Sequence, residues 1–263
     1  MNAISTDSVT STGAVTRFGS YAEMPEAMRD DALLRVEADP AVLHGAWAFE
    51  SGYAFASVDG YGGDPCWLSV VAPPEAAAML ARTALAELGE KCCGITAPRG
   101  FAVGGRAATE SGTWDLMRCD VAPPEQPGET RVARLPDLEA VQAFLERVNP
   151  HHSVRADHPE VRHWLGVADE ASGRLLAVGA FTRRRFGTAY LASIATAPQA
   201  RGRGLGAAVT AALTRHAFAA GDELCTLAHY SPNDPARRIY LRLGYRTTHR
   251  LTSHAFAGGR AGS

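Results

Sequence analysis

Thr196-Ala197-Pro198-Gln199-Ala200-Arg201-Gly202-Arg203-Gly204-Leu205-Gly206 joins an apolar strand-like run, residues 189–196, to an Ala-rich run over about 204–219 that reads as a helix closed by Gly221. The first N–H groups of a helix have no partner within it, and the helix dipole favours an anion there. Glycines let ligand oxygens approach the main chain, and successive amides can form an anion-binding nest. Arg201 and Arg203 add full positive charge. The stretch therefore reads as a polyphosphate site, the alternative being a Gly-rich turn with two solvated arginines. Two other phosphate loops are excluded by spacing. No Gly-Lys is followed by Ser or Thr, and the glycines run Gly-x-Gly-x-Gly, not Gly-x-Gly-x-x-Gly.

Upstream of this stretch, residues 130–135 alternate as a strand. Leu138, Val141, Phe144, Leu145 and Val148 then recur at helical spacing until Asn149-Pro150 stops them. A His-rich connection, 151–163, has room for a second helix, and strands over 165–169 and 175–182 flank a turn at 171–174. Downstream come a strand at 224–230, a helix at 235–243 and a final strand or two over 245–256. The second half thus reads β-α-(α)-β-β-β-α-β-α-β. In the first half, residues 1–20 lack apolar periodicity and read as a flexible tail. A hairpin is expected over 44–49 and 53–58, a strand at 67–72, a helix over 75–88 ended by Gly89, and strands at 93–96 and 114–121. Leu68 to Glu75 followed by an Ala-rich helix, a Gly and a strand echoes Ala192 to Gln199 followed by the same elements. Only the second copy carries the Arg-Gly loop. Pro123-Pro124-Glu125-Gln126-Pro127-Gly128 separates the copies, so the organisation expected is a tail (1–20), a first domain (21–122), a linker (123–128) and a second domain (129–263).

Pro198-x-x-Arg201-Gly202-x-Gly204-x-Gly206 resembles the acyl-CoA pyrophosphate loop of the GNAT N-acyltransferases. Asn233-x-x-Ala236-x-x-x-Tyr240-x-x-x-Gly244-Tyr245 is similar to a second signature of that superfamily, with one helix and one strand between the two motifs. The resemblance covers about residues 129–256 and extends faintly into the first half as a degenerate copy. It implies an α/β (α+β) fold with a mixed central sheet flanked by helices, in tandem. It also implies an acyltransferase that takes acetyl-CoA or another acyl-CoA as co-substrate and delivers the acyl group directly to an amine, with no metal. Residues 201–206 (Arg201, Gly202, Arg203, Gly204, Leu205, Gly206) would hold the pyrophosphate. Main chain at Ile194, Ala195 and Thr196 would pair with the pantetheine and polarise the thioester carbonyl, Asn233 would bond to the pantetheine arm, and Arg237 joins the cofactor-binding set. Tyr240 would protonate the departing thiolate, although its place in an amphipathic helix also suits a core tyrosine. The chain departs from the superfamily at the general base, because residues 190–194 carry no carboxylate. His229, on the neighbouring strand, can serve as that base or as a hydrogen-bonded core histidine. His151, His152 and His158 lie in the connection that forms an acceptor wall in this fold, and Arg183-Arg184-Arg185 reads as an exposed charge run.

Composition narrows the remaining classes. The 263 residues are 46% hydrophobic and 21% charged, which excludes a disordered or collagen-like chain. No apolar run is long enough to span a membrane, and the start lacks the pattern of a secretory signal, so a cytoplasmic location is expected. Five Cys, with Cys92 and Cys93 adjacent and no Cys-x-x-Cys, read as reduced buried thiols and not as a zinc site. A net charge of −2 hides a division: residues 1–128 hold 8 basic and 17 acidic side chains, whereas residues 129–263 hold 18 and 11. The basic half suits a phosphate-bearing donor. An aminoacyl-tRNA or carrier-protein donor is the rival, and a non-catalytic CoA-binding module a third reading, but no basic patch interleaved with aromatics supports nucleic acid. The acceptor is expected to be a small amine. The acidity of the first half is expected to draw a cationic one toward a cleft shared by the halves.

Overall fold

Polar caps and glycine stops set the helices in the computed structural model, which describes residues 13–58, 66–104 and 106–257. The first half contains β1 (Thr16–Phe18), α1 (Glu26–Arg29), α2 (Ala32–Glu37), β2 (Leu43–Phe49), β3 (Gly52–Val58), β4 (Cys66–Val71), α3 (Pro74–Leu88), β5 (Cys92–Pro98) and β6 (Ala108–Cys119). The second contains β7 (Ala133–Arg134), α4 (Leu138–Val148), β8 (Val161–Ala168), β9 (Leu175–Arg183), β10 (Ala189–Thr196), α5 (Leu205–Ala219), β11 (Cys225–Tyr230), α6 (Asp234–Arg242) and β12 (Arg246–Phe256). The Asp31, Asp137 and Asn233 side chains accept from Leu33, Ala140 and Ala236 N–H to start α2, α4 and α6. Pro74 occupies the first turn of α3, and Gly89 ends it at φ +58°. None of the helices among the described residues is long and apolar enough to cross a membrane.

Each half runs through three antiparallel strands and then a helical crossover to a parallel partner: β2-β3-β4-α3-β5 in the first, β8-β9-β10-α5-β11 in the second. The helix of each crossover covers one sheet face. Trp47, Leu68, Leu80 and Ile95 form a buried cluster with α3. A larger cluster joins Leu213 of α5 to Phe144 and Leu145 of α4, and also to Leu33 and Leu34 of α2 from the first half. Burying a Leu of this kind contributes about 1.5–3 kcal/mol.

The halves then exchange their last strands. The sheet is continuous over twelve strands in the order β1-β2-β3-β4-β5-β12-β6-β11-β10-β9-β8-β7. β6 lies antiparallel to β11, from Cys225↔Cys119 to Tyr230↔Trp114, and β12 lies antiparallel to β5, from Leu251↔Pro98 to Ala255↔Gly94. β6 and β12 also pair with each other from Arg246↔Arg118 to Phe256↔Ala108. That long ladder explains why β6 begins at Ala108, earlier than the apolar pattern at 114 suggests.

Three expectations need correction. Part of the stretch read as a tail is β1, paired with β2 through Arg17↔Trp47; residues 1–12 lie outside the described residues. The strand expected at 130–135 is instead a 3₁₀ turn, Glu129–Arg131, followed by the two-residue β7. Glu129 causes this: its buried carboxylate accepts from Gln126 N–H and pairs with both terminal nitrogens of Arg215, which bends the chain inward. The connection 151–160 has no second helix. Its backbone is satisfied by side chains instead, Ala156 N–H donating to Gln142 Oε1 and Val154 N–H to Ser193 Oγ, while the Trp164 indole donates to the Ala156 carbonyl.

A fragment spanning residues 129–257 would expose the whole β11 edge and the face that Leu116 and Met117 cover, both 0% accessible in the intact chain. It is expected to aggregate and to show no cooperative urea transition, whereas the chain cleaved once between 121 and 128 stays associated. Size-exclusion chromatography and urea unfolding of the two preparations check this.

Candidate functional site

Strands β10 and β11 part company soon after they meet. Their parallel register runs Ala189↔Cys225, Tyr190↔Thr226 and Leu191↔Leu227, after which they no longer pair with each other, β10 continuing against β9 to Thr196 and β11 against β6 to Tyr230. A bulge in β10 drives the separation. Its pairing with β9 breaks between Ala192 and Ala195, and Ser193 has φ +50°. A non-Gly residue there costs about 1–3 kcal/mol unless its surroundings hold it. Ser193 Oγ accepts from Val154 N–H at 3.0 Å and donates to the Val154 carbonyl at 3.1 Å, so the connection after α4 fixes the bulge. The β10 edge from Ile194 to Thr196 then faces the opening between the strands.

A cavity of about 590 Å³ lies on one side of the opening. Ile194, Ala195, Thr196, Arg201, Gly202, Gly204, Leu205, Gly206, Asn233 and Tyr240, all named from the sequence, line it. Gly202 and Gly204 have φ +76° and +77°, the left-handed region in which any side chain is strained. Gly204 caps α5 without a side-chain bond, leaving the first amides of the helix for a ligand. Gly206 permits close approach to β10, since a Cβ there would lie 3.2 Å from Thr196 Oγ1. These features fit an anion such as a pyrophosphate. Arg203 and Arg237 are not among the lining residues. Arg203 lies close enough to Asp169 to help, after the Ser172 hydrogen bonds, to hold that carboxyl below its usual range. Sequence reasoning missed Asn149 and Arg242, which do line the cavity. Arg242 was recoverable, because it continues the i, i+3 row of Ala236 and Ile239 on α6.

A second cavity, of about 290 Å³, meets the first at Asn149, Ile194, Asn233 and Tyr240. His229 lines it at 6% exposure. Its Nδ1 lies 2.9 Å from the Tyr230 carbonyl and donates to it, which leaves the lone pair on Nε2. That buried nitrogen has no hydrogen-bond partner among the described residues, a cost of about 1–3 kcal/mol unless water or a ligand meets it. The Tyr240 ring centroid lies 6.1 Å from that of His229. Burial, with Tyr190 adding to it, pushes the Tyr240 hydroxyl well above the ordinary phenol range, so it keeps its proton at neutral pH. Asn233 spends its side-chain oxygen capping α6 while lining both cavities.

The remaining sequence candidates divide. His151 lines the smaller cavity, His152 is tied through Nδ1 to the Asn149 carbonyl, and His158 lines an adjoining cleft. The run 183–185 is not a free charge run: Arg183 pairs with Asp222, Arg184 with Glu160 at 2.9 Å, and Arg185 with Asp39 of the first half. Arg184 also lies over the Tyr190 ring, 4.0 Å from its centroid. A carboxylate absent from the second half's strands does reach the smaller cavity. It belongs to Glu37, at the end of α2 in the first half, and no local sequence signal marks it. No group of three or more His, Cys, Asp or Glu suited to a metal occurs among the described residues, and all five cysteines are free and buried.

Residues 130–245 match the Acetyltransferase (GNAT) family. Among solved structures, a GNAT-family protein from Novosphingobium aromaticivorans is similar at 23% identity and a TM-score of 0.53, over 79% of this chain and 89% of its own. GCN5-related N-acetyltransferases from Kribbella flavida (22%, TM-score 0.51, 81% and 90%) and Sphaerobacter thermophilus (17%, TM-score 0.53, 78% and 76%) are similar too. At these identities the likeness is one of fold. It extends beyond residues 130–245 into the first half.

Replacing Ser193 by Ala leaves the Val154 N–H and carbonyl without their partner and the left-handed backbone unsupported. The variant is expected to lose about 1–3 kcal/mol of stability in urea unfolding, more than an Ala substitution at an exposed serine such as Ser172.

Proposed function

We propose that the protein, whose residues 130–245 match the acetyltransferase (GNAT) family, transfers the acyl group of an acyl-CoA, acetyl-CoA above all, directly to a small primary amine. The observation that carries this is the junction of two cavities at the parting of β10 and β11. One is bounded by a helix N-terminus with Arg201, the other by His229, and Tyr240 stands where they meet.

The thioester supplies an activated acyl carbon and a thiolate leaving group; the chain supplies the rest. The uncapped amides of α5, with Arg201, hold the phosphates at one end. Free main chain of β10 between Ile194 and Thr196 orients the pantetheine and donates to the negative charge that develops on the carbonyl oxygen, an effect commonly worth about 3 kcal/mol. The Asn233 amide group steadies the same arm. His229 Nε2, with its lone pair turned to the acceptor cavity, takes the proton that the amine loses as the C–N bond forms. Tyr240 gives a proton to sulfur as the C–S bond breaks, leaving amide and free thiol. His229 answers the missing carboxylate on β10, because the partner strand delivers a base to the same opening.

Gly204→Glu puts a side chain into a left-handed position and a carboxylate where phosphates are held. It is expected to abolish saturable acetyl-CoA binding in calorimetry, and wild-type affinity in this variant would defeat the assignment. Tyr240→Phe is expected to retain acetyl-CoA affinity while kcat for thiol release falls by about 10²- to 10⁴-fold. His229→Gln should lower kcat/KM for the amine while acetyl-CoA affinity is retained, as steady-state kinetics beside calorimetry would read.

A further inference from the structure

The face of the sheet turned away from α3 carries a row of hydroxyls. Ser69 on β4 is the register partner of Thr96 on β5, and Thr96 is the partner of Ser253 on β12, so these side chains stand abreast on neighbouring strands. Gly112 of β6 comes next and leaves the end of the row without a side chain. Two indoles flank it. Trp67, two residues before Ser69 and so on the same face, donates to Thr96 Oγ1 at 2.8 Å, and Trp114, two residues after Gly112, donates to Ser253 Oγ at 2.9 Å. Thr96 and Ser253 share a hydrogen bond of 2.8 Å. Whichever of them donates, the other keeps a hydroxyl hydrogen that no group among the described residues accepts. Ser69 adds a second. It is 2% exposed, and its hydroxyl has no hydrogen-bond partner among the described residues. A hydroxyl so deep is a cost to the empty protein that a bound group can remove.

Ser69, Thr96, Ser253, Trp67 and Trp114 all line a cleft of about 340 Å³ between the two halves. A Cβ at Gly94 would come within 2.3 Å of the Trp67 ring, so that ring lies against the β5 backbone and is fixed in place. The charged groups of the cleft serve one another. Arg184 pairs with Glu160 and lies within electrostatic reach of Glu37, and Arg185 pairs with Asp39. What the cleft can offer a ligand is therefore neutral: hydroxyls set between indoles. At Trp114 and Ser153 it opens into the smaller cavity, where His229 stands.

Building on the acyl-transfer reading, we propose that this cleft is the acceptor site and that the acceptor is a polyhydroxylated primary amine. Its oxygens accept the unspent hydrogen of the Thr96 and Ser253 pair and meet Ser69, which can both donate and accept. Its amino group reaches past Trp114 to His229 Nε2, where the attacking nitrogen loses its proton. An alkyl amine would leave the buried hydroxyls unmet, which is the basis of selection. The first half thus contributes the specificity of a reaction whose donor site lies in the second.

Calorimetry on the full chain saturated with CoA tests this, with glucamine, a linear amino polyol, and hexylamine, the same chain without hydroxyls. Wild type is expected to bind glucamine saturably and at least about tenfold more tightly than hexylamine. Ser69→Ala removes a hydroxyl on which the fold does not draw, and is expected to cut that preference at least about threefold with CoA affinity unchanged. Equal affinity for the two amines in wild type, or an undiminished preference in Ser69→Ala, overturns the proposal. Tighter binding of a Lys-containing peptide than of glucamine overturns it in favour of a macromolecular acceptor. Thiol release from acetyl-CoA is read on parallel samples. Release without the preference for hydroxyls defeats only the cleft, whereas hydroxyl-dependent binding without release defeats only the acyl-transfer reading.

Discussion

β11 has a parallel partner only as far as Leu227 on one side, because β10 turns away at the Ser193 bulge, and its other side must be covered for the opening to persist. β6 of the first half provides that cover, and β12 of the second provides it for β5 in return. An exposed strand edge beside a splayed pair would invite closure or aggregation. The exchanged strands hold β11 straight while β10 diverges, so the cavity between them follows from a pairing made between the two halves. Trp114 and Asp115 sit on β6 opposite Tyr230 and His229, which makes the first half a wall of the site and not a neighbour to it.

The separation of β10 from β11 also sets the polarity of the site. Strand backbone lacking a partner is a row of donors and acceptors that a ligand must satisfy. At one end of that row lie the unpaired amides of α5, and at the other lies the unmet lone pair of His229. Each is a cost in the empty protein that a bound group can offset. The bulge itself is held from outside by Val154, whose segment replaces the helix expected in the connection after α4. Its irregular path lets Val154 reach Ser193 and His151 reach the cavity at once.

Much of what the chain encodes locally was legible. The Gly202 and Gly204 turn, and Asn233 and Tyr240 in one signature, are short-range patterns with a mechanical reason, and they converge on one cavity. What depended on pairing at a distance was not. Nothing in Ala108 to Cys119 states that it will lie against β11, since an alternating strand suits either sheet partner. Glu37 follows from that concealed topology, because α2 reaches the site only once the halves share a core. Arg184 misled for a related reason: three consecutive arginines suggest solvent until Glu160, Tyr190 and Asp39 are brought to them.

The charge division of the chain gains a different meaning in three dimensions. Among the described acidic residues of the first half, Glu37 and Asp39 line the cleft between the halves, and others meet bases instead. Asp31 meets His249 at 3.2 Å, Asp39 meets Arg185, and Asp120 meets Arg246 at 3.1 Å. In each pair the acid comes from the first half and the base from the second. Of these only the Asp120–Arg246 pair is exposed, and it contributes little to stability, typically about 0–1 kcal/mol, whereas Asp39 is buried and Asp31 largely so. All three pairs penalise mismatched pairings, since like charges brought together in a wrong register are repelled. Two halves that trace the same path could swap β6 and β12 for each other's natural slots. Opposite net charge favours the arrangement in which each half lies against the other, and so favours the continuous sheet on which the site is built.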